Sequence, residues 1–596
     1  MDKSGSKNVV WDLSCLYHDI EDIQIKKDVE LMEEKVVYFF SQYKGKLNTM
    51  TAKQVSGAIN ELELIIMMEG RVKSFAYLNL ITQTGNEQAS LFWQKMEEIC
   101  TRVDNDLLFF NLEWASFEDS VTQNFMNDPV LADHRHYLGQ IKKLVPYHLS
   151  EKEEKILAET SLAGINSWEN LFDKVSSQMQ FGKGGMKGKE IFSNLYNFDR
   201  DTRLKSSWDI TVGLKKQSVV LTHILNAVLT DKMIKDKIRK YPTWVSYVNL
   251  INEVDDSIPE ALSYAVKSKY DILQRYYRLK RELLGYDCLF DYDRYAPLSV
   301  PLGVLIRWDD GKEIVLNAFE NFSPIMGTIA RQFFDNKWIH AAVISGKADG
   351  SFSYPTIPKA NPFIMVNYSG SKNDLRLLSH ELGHGVHQFL TSKCQSYLNR
   401  EISMIVAETV SSFAEMLVFQ SLLDQTKDKE ERLSLLCSKI EEIFGSIFRQ
   451  IALFCFENAI HGERRRGSEL STEKLNQLWI ETQKEMFGDS VILTDDYAVW
   501  WSCVPHFFKH IGYVYSYAFG GLLALSLFKK YKRGENAFMS KYSEMLKSGG
   551  KDSPNLLFKE IGVSLDDPDF WLEGLEMIEV MLKEIEELAK EVHAKV

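Results

Sequence analysis

The sequence lacks the cysteine pairs and the leader that an exported protein would carry. Its 596 residues include only seven cysteines, an odd number without CxxC spacing or close pairs. Scattered thiols of this kind are typical of a reducing compartment rather than of a disulfide framework. The N-terminal stretch through Tyr17 has no apolar run long enough for a secretory signal and does not resemble a transit peptide. We therefore expect a cytoplasmic protein.

Basic residues are also in the minority. The chain has 83 acidic and 70 basic residues, which gives a formal net charge of −13 and repels nucleic acid and anionic lipid. The two most apolar windows, residues 405–423 and 513–528, are either interrupted by Glu408 and Glu415 or too short for a hydrocarbon core of about 30 Å. We expect buried core helices there, and neither a nucleic-acid partner nor a membrane. Nothing in the composition fixes an oligomeric state.

Prolines are few, and the pattern of apolar residues favours helices. From about residue 25 to residue 285, apolar residues recur every three or four positions between charged ones. Ser150 and Glu153 are spaced as a capping box, which predicts a helix start. The glycine-rich stretch 181–191 follows no buried strand and lacks the Lys-Ser/Thr pair of a phosphate loop, so a surface hairpin or loop is expected. The predicted fold class is mainly α.

A small β-sheet is predicted between about residues 288 and 368. Two β-rich runs, VLIRW (304–308) and EIVLNAF (313–319), flank a turn-like Asp-Asp-Gly, and NPFIMVNY follows at 361–368. After Ser371 the helical pattern returns. Because the chain is too long for one core, we expect two regions, 1–205 and 206–596, divided near the polar stretch 198–207.

The segment His380-Glu381-Leu382-Gly383-His384 fits the H-E-x-x-H pattern inside a helical apolar period. Residues four apart share one face of a helix, about 5–6 Å apart at Cβ, so both histidines can bind one zinc ion. Glu381 projects from the neighbouring face and can reach a water in the open coordination position. The motif therefore predicts one zinc ion per chain, with Glu381 as general base of a peptide hydrolase.

The glycines of this helix carry a second prediction. Gly383 and Gly385 each cost about 1 kcal/mol relative to alanine inside a helix. Such a cost indicates that another backbone or side chain passes very close to the helix near the metal.

A catalytic zinc needs a third protein ligand, either a histidine six residues after the second or an acidic residue on another helix. Leu390 excludes the first arrangement. Glu408 lies in the apolar run 405–418, where a buried carboxylate needs a cation, and is the predicted ligand. Glu415, on the same face, is a weaker candidate that is better suited to orienting a histidine or to helix packing. His387 lies about 60° beyond the ligand face, so we expect an outer-sphere or substrate-facing role.

Four segments resemble the oligoendopeptidase F and thimet oligopeptidase family of zinc metallopeptidases, and its oligoendopeptidase F branch in particular. They are HELGHGVHQ (380–388), VAETVSSFAE (406–415), NPFIMVNY (361–368) and PHFFKHIGYVYSYAFG (505–520). The general sequence pattern is similar over most of the chain, although the first 200 residues match only loosely. It implies a zincin-like helical ellipsoid whose region 1–205 forms one wall of a deep central channel, with 206–596 as the catalytic region.

The resemblance also implies roles for further residues. Short unstructured peptides would be cut internally, pairing by strand addition with Asn361, Pro362, Phe363, Ile364, Met365, Val366, Asn367 and Tyr368. Oxyanion donors would come from His506 and Tyr517, then Tyr513, with His510 as a rival to Tyr513. Because tyrosines 513, 515 and 517 alternate, at least one of them must serve packing.

Two other functions remain open from the sequence. A zinc exopeptidase or dipeptidase shares the same ligand pattern, since that pattern does not fix where along a peptide the cut falls. A catalytically silent peptide-binding relative is disfavoured, because Glu381 and all three predicted ligands are present.

Overall fold

The chain folds mainly as α-helices, and the structure, a computed structural model, describes residues 3–298, 305–535 and 537–593. The predicted mainly α class with a small sheet is confirmed. The ellipsoidal shape and the central channel stay predictions. The helices, in chain order, are α1 Ile23–Tyr43, α2 Ala52–Ile81, α3 Glu87–Ser116, α4 Asp119–Asn127, α5 Arg135–Leu144, α6 Glu151–Ala163, α7 Ile165–Gln178, α8 Gly188–Ser193, α9 Arg200–Arg239, α10 Ser246–Ile251, α11 Ser257–Lys267, α12 Tyr270–Leu283, α13 Trp308–Phe322, α14 Pro324–Asp335, α15 Lys372–Cys394, α16 Met404–Gln425, α17 Lys429–Ile443, α18 Arg449–Arg465, α19 Thr472–Phe487, α20 His506–Lys509, α21 Val514–Lys532, α22 Phe538–Ser548, α23 Pro554–Glu560 and α24 Pro568–His593.

Helix starts follow the local sequence. The predicted capping box at Ser150 is present, since its hydroxyl accepts from the Glu153 N–H while the Glu153 side chain accepts from the Ser150 N–H. The polar stretch 198–207 is also a helix start, because the Asp199 side chain accepts from the N–H of Thr202 at the beginning of α9. The glycine-rich stretch forms the expected hairpin-like turn, with Phe181 bridged to Met186.

The residues group into two units, each made of three stretches of chain. Unit 1 comprises Met1–Pro146, Gly303–Leu422 and Tyr531–Val563. Unit 2 comprises Tyr147–Leu302, Leu423–Lys530 and Ser564–Val596. Residue 205 lies within α9 and neither unit has an edge there; the assignment of 1–205 to a channel wall and 206–596 to catalysis stays a prediction.

The small sheet lies in unit 1, directly before the helix that carries the H-E-x-x-H motif. Its strands are β1 Ile339–His340, β2 Phe352–Tyr354 and β3 Phe363–Met365. The strand order is β1-β3-β2, with β3 parallel to β1 and antiparallel to β2. The prediction of a strand in NPFIMVNY is therefore correct, and that strand is the fully buried centre of the sheet.

The predicted strand EIVLNAF is wrong, because it forms part of α13. Its buried residues Val315, Leu316, Phe319 and Phe322 follow a helical period rather than an alternating one. Asp309 and Asp310, expected in a turn, occupy the first helical turn, where carboxylates interact favourably with the helix dipole. Of the companion run VLIRW, Val304 lies outside the described residues, and Trp308 begins α13.

Two helical stretches are long and apolar enough to cross a bilayer by length and composition alone, Met404–Gln425 and Lys429–Arg465. In each, 61% of the apolar window is buried within the protein. Buried core helices of a globular protein have the same properties, so this pattern is weak evidence for a membrane span.

Candidate metal centre and active site

The motif helix α15 begins where its sequence indicates. The Ser371 hydroxyl accepts from the Asp374 N–H, and the Asp374 carboxylate accepts in return from the Ser371 N–H, which satisfies two donors of the first turn. Two and three turns later, His380 and His384 lie on one face, with ring centroids 4.8 Å apart. The expected convergence of the two imidazoles is therefore present.

The two glycines of α15 mark close contacts, as predicted. A Cβ at Gly383 would lie 2.8 Å from Cβ of Ala414 and 2.9 Å from Cα of Ser411, both on α16. A Cβ at Gly385 would lie 2.8 Å from the Phe333 ring. The absence of side chains at these two positions lets α16 and α14 pack directly against the motif helix.

This close packing brings Glu408 of α16 to the two histidines. Its carboxylate oxygens lie 3.6 Å from Nε2 of His380 and 3.8 Å from Nε2 of His384. One ligand atom from each of the three residues lies within 4.8 Å of the others, and this is the one such cluster found in the described part of the chain. All three side chains are less than one-third exposed.

The three side chains fit a zinc ion. Zinc binds histidine nitrogen and carboxylate oxygen at about 2.0–2.2 Å, so neighbouring ligand atoms of a tetrahedron are separated by roughly 3.4 Å. Each histidine Nε2 lies 3.6 or 3.8 Å from a different Glu408 oxygen, and one atom from each residue lies within 4.8 Å of the others, so a small inward movement would bring them to that spacing. Two imidazoles and one carboxylate also leave a fourth position for water or substrate, which is the arrangement of catalytic rather than structural zinc sites.

A second carboxylate orients His380 from the opposite side. Nδ1 of His380 lies 2.7 Å from a Glu415 oxygen, and the same oxygen accepts a 3.1 Å hydrogen bond from the Arg376 guanidinium. With Nδ1 engaged in this way, Nε2 is directed toward Glu408 and His384. The expectation that Glu415 orients a histidine rather than binds the metal agrees with this contact.

The protonation tendencies suit a cation in this position. Burial, followed by repulsion from His380, holds the pKa of His384 well below its ordinary value, so its ring is neutral. At His380, burial lowers the pKa, but the Glu415 hydrogen bond and nearby carboxylates outweigh it and raise the pKa to about 8. Burial raises the pKa of Glu408. A metal ion and a proton therefore compete at His380.

Glu381 is buried beside the three ligands with one polar contact of its own. Its carboxylate accepts a 2.8 Å hydrogen bond from the Ser351 hydroxyl, one residue before β2. Burial raises the pKa of Glu381, while the charge of His380 and the Ser351 hydrogen bond lower it. A carboxylate in such surroundings is a stronger base than one in water, which suits proton transfer near neutral pH.

The predicted strand-addition role of Asn361–Tyr368 needs correction over its central residues. Phe363, Ile364 and Met365 are paired on one edge with β1 and on the other with β2. A peptide therefore has no edge of β3 to join. The sequence could not show this, because β2 carries few of the usual strand signals and was not expected to be a strand.

His387 is more enclosed than a substrate-facing side chain was expected to be. Its residue surface is 1% exposed, and neither ring nitrogen has a hydrogen-bond partner in the described chain. Burial lowers its pKa to about 3. It lines a cavity together with the predicted ligand His384.

The predicted oxyanion donors lie together in unit 2. Nε2 of His506 is 3.4 Å from the Tyr517 hydroxyl, and the His506 and His510 ring centroids are 5.9 Å apart. The Tyr513 and Tyr517 ring centroids are 5.3 Å apart. Burial, followed by repulsion from His510, lowers the pKa of His506. The catalytic roles of these four residues stay predictions.

Tyr515 is the packing tyrosine of the alternating series. It is fully buried, and its hydroxyl donates to the Asn249 side chain at 2.7 Å and accepts from Asn252 at 2.9 Å. The expectation that one of the three tyrosines serves packing is therefore correct.

Sequence reasoning missed Ser351 and Arg376 as parts of the site. Ser351 contacts the predicted base through a loop whose position depends on the sheet. Arg376 lies one turn before His380 on α15, so its helical spacing was the one available signal.

The chain is similar to known peptidases along most of its length. A family model described as Peptidase family M3 matches residues 314–577, and one described as Oligopeptidase F matches residues 113–181. Oligopeptidase PepF of Bacillus subtilis is 28% identical over 568 residues, which cover 93% of this chain and 83% of that protein. An oligoendopeptidase F homolog of Borreliella burgdorferi is 25% identical over 94% of this chain and 95% of that protein.

Solved structures share the fold. A crystal structure from Chlamydophila abortus has a TM-score of 0.85 at 22% identity and covers 98% of each chain. That of oligoendopeptidase-F from Enterococcus faecium has a TM-score of 0.70 at 22% identity and covers 95% of this chain and 99% of that one.

Proposed function

Because the chain belongs to peptidase family M3, we propose that it is a zinc-dependent endopeptidase that hydrolyses short, unstructured peptides. The observation that carries this proposal is the position of the buried base Glu381 beside the converging ligand atoms of His380, His384 and Glu408. A base and three ligands with one open position are the parts that metal-assisted peptide hydrolysis requires.

The chemistry divides between the ion and the side chains. A zinc ion held by the three ligands would lower the pKa of a bound water and would place a positive charge next to the peptide carbonyl. Glu381 takes the proton from the attacking water and passes it to the leaving nitrogen as the C–N bond breaks. Glu415 holds the His380 ring in position throughout, through Nδ1.

We assign substrate strand addition to β2 instead of β3. β2 lies at one edge of the sheet, and Ser351, which directly precedes it, contacts Glu381. A peptide aligned on this edge would be bound through its main chain, which tolerates varied side chains. Asn361, Pro362, Val366, Asn367 and Tyr368 would then support the substrate strand indirectly. The roles of His506, His510, Tyr513 and Tyr517 as oxyanion donors, and a cytoplasmic location, belong to the same proposal.

Peptides of graded length with both termini blocked separate an endopeptidase from an exopeptidase. An endopeptidase cleaves doubly blocked peptides, and mass spectrometry of the products locates the cut. An enzyme that leaves every doubly blocked peptide intact but trims peptides with free ends is an exopeptidase.

Metal analysis tests the zinc centre directly. Elemental analysis should find one zinc per wild-type chain and almost none in His384→Ala, and a chelator should stop hydrolysis. Hydrolysis that persists in metal-free protein would refute the zinc mechanism. A silent peptide-binding relative would bind zinc and peptides without cutting any of them.

A further inference from the structure

A cavity of about 170 Å³ adjoins the predicted metal centre within unit 1. His384, which supplies a predicted zinc ligand, lines it on one side, and Pro355, directly after β2, lines it on another. A single water needs only about 10–15 Å³, so the cavity has room for a larger group. Its position next to a metal ligand and to the proposed substrate strand places it along the path of a bound peptide.

The cationic side chain of Arg400 also lines this cavity. Its Nη1 is buried without a hydrogen-bond partner, and no carboxylate in the described ranges lies within ion-pair distance of its guanidinium. The contact that it does make is with the Tyr397 ring, whose centroid is 4.1 Å away. Arg400 is half-buried and remains charged even where burial lowers its pKa, and leaving the N–H groups of its buried Nη1 without an acceptor costs free energy.

The loop that carries Arg400 is fixed by other parts of unit 1. The N–H of Leu398 donates to the Glu63 carboxylate at 3.0 Å, and the carbonyl of Asn399 accepts from the Gly550 N–H at 2.8 Å. A Cβ at Gly550 would collide with the carbonyl oxygen of Glu401. The backbone that carries Arg400 is therefore fixed, and its guanidinium lies over the Tyr397 ring, so less order has to be gained when a ligand binds.

The remaining polar groups of the cavity favour an anionic ligand. The ring nitrogens of His387 have no partner in the described chain, so its neutral imidazole has one N–H available to donate. Gln388, in contrast, is occupied, because its amide exchanges hydrogen bonds with the side chain and carbonyl of Ser353 on β2. Glu401 also lines the cavity, but its side chain is exposed and does not pair with Arg400.

We infer that this cavity is a substrate subsite for a carboxylate of the peptide, which Arg400 binds as its ionic partner and His387 binds as a second donor. The inference rests on the proposed peptidase function. The carboxylate belongs either to an acidic side chain near the cut bond or to the C-terminus of a short peptide, and both carry the same chemistry.

The test uses the zinc-loaded full-length protein and two sets of quenched peptides. In the first set both ends are blocked, and a single Glu or Gln is moved through the positions around the cut bond. In the second set one neutral sequence carries either a free or an amidated C-terminus. Mass spectrometry confirms that each pair is cut at the same bond.

Wild type should prefer the carboxylate over the neutral partner by about 10-fold or more in kcat/KM in one of the two sets. Arg400→Gln should bring that ratio close to one, and Arg400→Lys should restore part of it. Arg331→Gln is the matched control, because it removes a surface arginine that pairs with Glu320 and should leave the ratio unchanged. The set that shows the preference identifies the source of the carboxylate.

Equal rates within every pair, or a preference that survives Arg400→Gln, would overturn the inference. A failure to cut any peptide counts against the proposed peptidase function instead. In that case, the subsite is tested by peptide binding instead, with fluorescence anisotropy used to measure the affinity of the Glu381→Gln protein for each peptide of a pair. Its affinity should favour the carboxylate peptide, and the double variant with Arg400→Gln should lose that difference; an equal affinity for both peptides contradicts the subsite.

Discussion

Each unit places two ionisable side chains four residues apart on one helix, but among the described residues only the pair in unit 1 converges with a third possible ligand atom. In unit 1, His380 and His384 are four residues apart on α15 and face Glu408 of α16. In unit 2, Glu457 and His461 are four residues apart on α18, and each has at most 1% of its surface exposed. The residue types and the spacing are similar, whereas the surroundings differ.

The unit 2 pair is held apart by packing. A Glu457 oxygen accepts the N–H of Gly512 at 2.9 Å, and the His461 ring stacks on Trp244 with centroids 4.4 Å apart. Burial raises the pKa of Glu457 to about 8, and burial also holds the pKa of His461 well below its ordinary value, so both are neutral near pH 7. Helical spacing alone therefore does not make a metal site; in unit 1 the third candidate ligand comes from a second helix, α16, which brings the Glu408 carboxylate to the two histidines.

The largest expected effect comes from removing the proposed base, Glu381, in unit 1. Glu381→Gln should lower turnover by roughly two to four orders of magnitude while keeping zinc and fold, because the amide cannot accept the proton. Steady-state kinetics and elemental analysis measure both quantities. Glu457→Gln is the matched exchange in unit 2 and should stay near the wild-type rate. A Glu381→Gln protein with near-normal turnover would refute the base assignment.

The second expected effect concerns the orienting carboxylate. Glu415→Gln should weaken zinc binding by about 10- to 100-fold, because outer-sphere partners fix the tautomer and basicity of a histidine ligand. Competition with a chromogenic chelator gives the zinc affinity. An unchanged zinc affinity would mean that the 2.7 Å contact with His380 does not support the metal centre.

The third prediction concerns how Glu457 of unit 2 makes the stability of the protein depend on pH. Because burial raises the pKa of Glu457 from 4.5 to about 8, the folded state holds its proton more tightly than the unfolded state. Its contribution to the free energy of unfolding is fully present below pH 4.5 and is lost as the pH rises through about 8. The loss is at most about 5 kcal/mol.

Glu457→Gln should remove this pH dependence. The difference in unfolding free energy between the variant and wild type should grow in favour of the variant from pH 5 to pH 8. Denaturant melts at several pH values measure that difference. A constant difference across this range would show that Glu457 does not titrate on unfolding there.

The smallest expected effect is a shift of the acid limb of activity. Glu381 must be ionised to accept a proton, and the Ser351 hydrogen bond lowers its pKa. Ser351→Ala should therefore raise that pKa and move the acid limb of kcat/KM to higher pH. Ser353→Ala is the control for the limb position, since Ser353 contacts Gln388 and not Glu381. An unmoved limb in Ser351→Ala, or an equal shift in both variants, would contradict this role of Ser351.

The parts of the site encoded in local spacing were predictable from the sequence. The H-E-x-x-H helix and its start at Ser371 depend on neighbours within one or two turns. Gly383 inside that helix predicted a close approach, although the sequence did not identify α16 as the partner. Glu408 was selected from the sequence because a carboxylate in an apolar helix needs a cation, and its carboxylate lies 3.6 Å from Nε2 of His380; its role as a ligand stays a prediction.

The parts that depend on tertiary pairing were not predictable. The β-branched residues of EIVLNAF suggested a strand, but tertiary burial on one helical face determined α13. The position of β3 at the centre of the sheet depends on β2, a strand of three residues without a strong pattern. Ser351 reaches Glu381 through that same pairing, so its contact could not be read from the chain.

The packing of α15 on α16 at Gly383 has a consequence for engineering. The two predicted histidine ligands belong to one helix and the third predicted ligand to the other, so the distance between the helix axes would set the size of a coordination sphere at this site. An alanine at 383 would meet Ala414 at 2.8 Å and push the helices apart. If the proposed zinc centre is correct, a substitution at Gly383 would change the distance between the predicted ligands, and with it the metal preference, without contacting the ion.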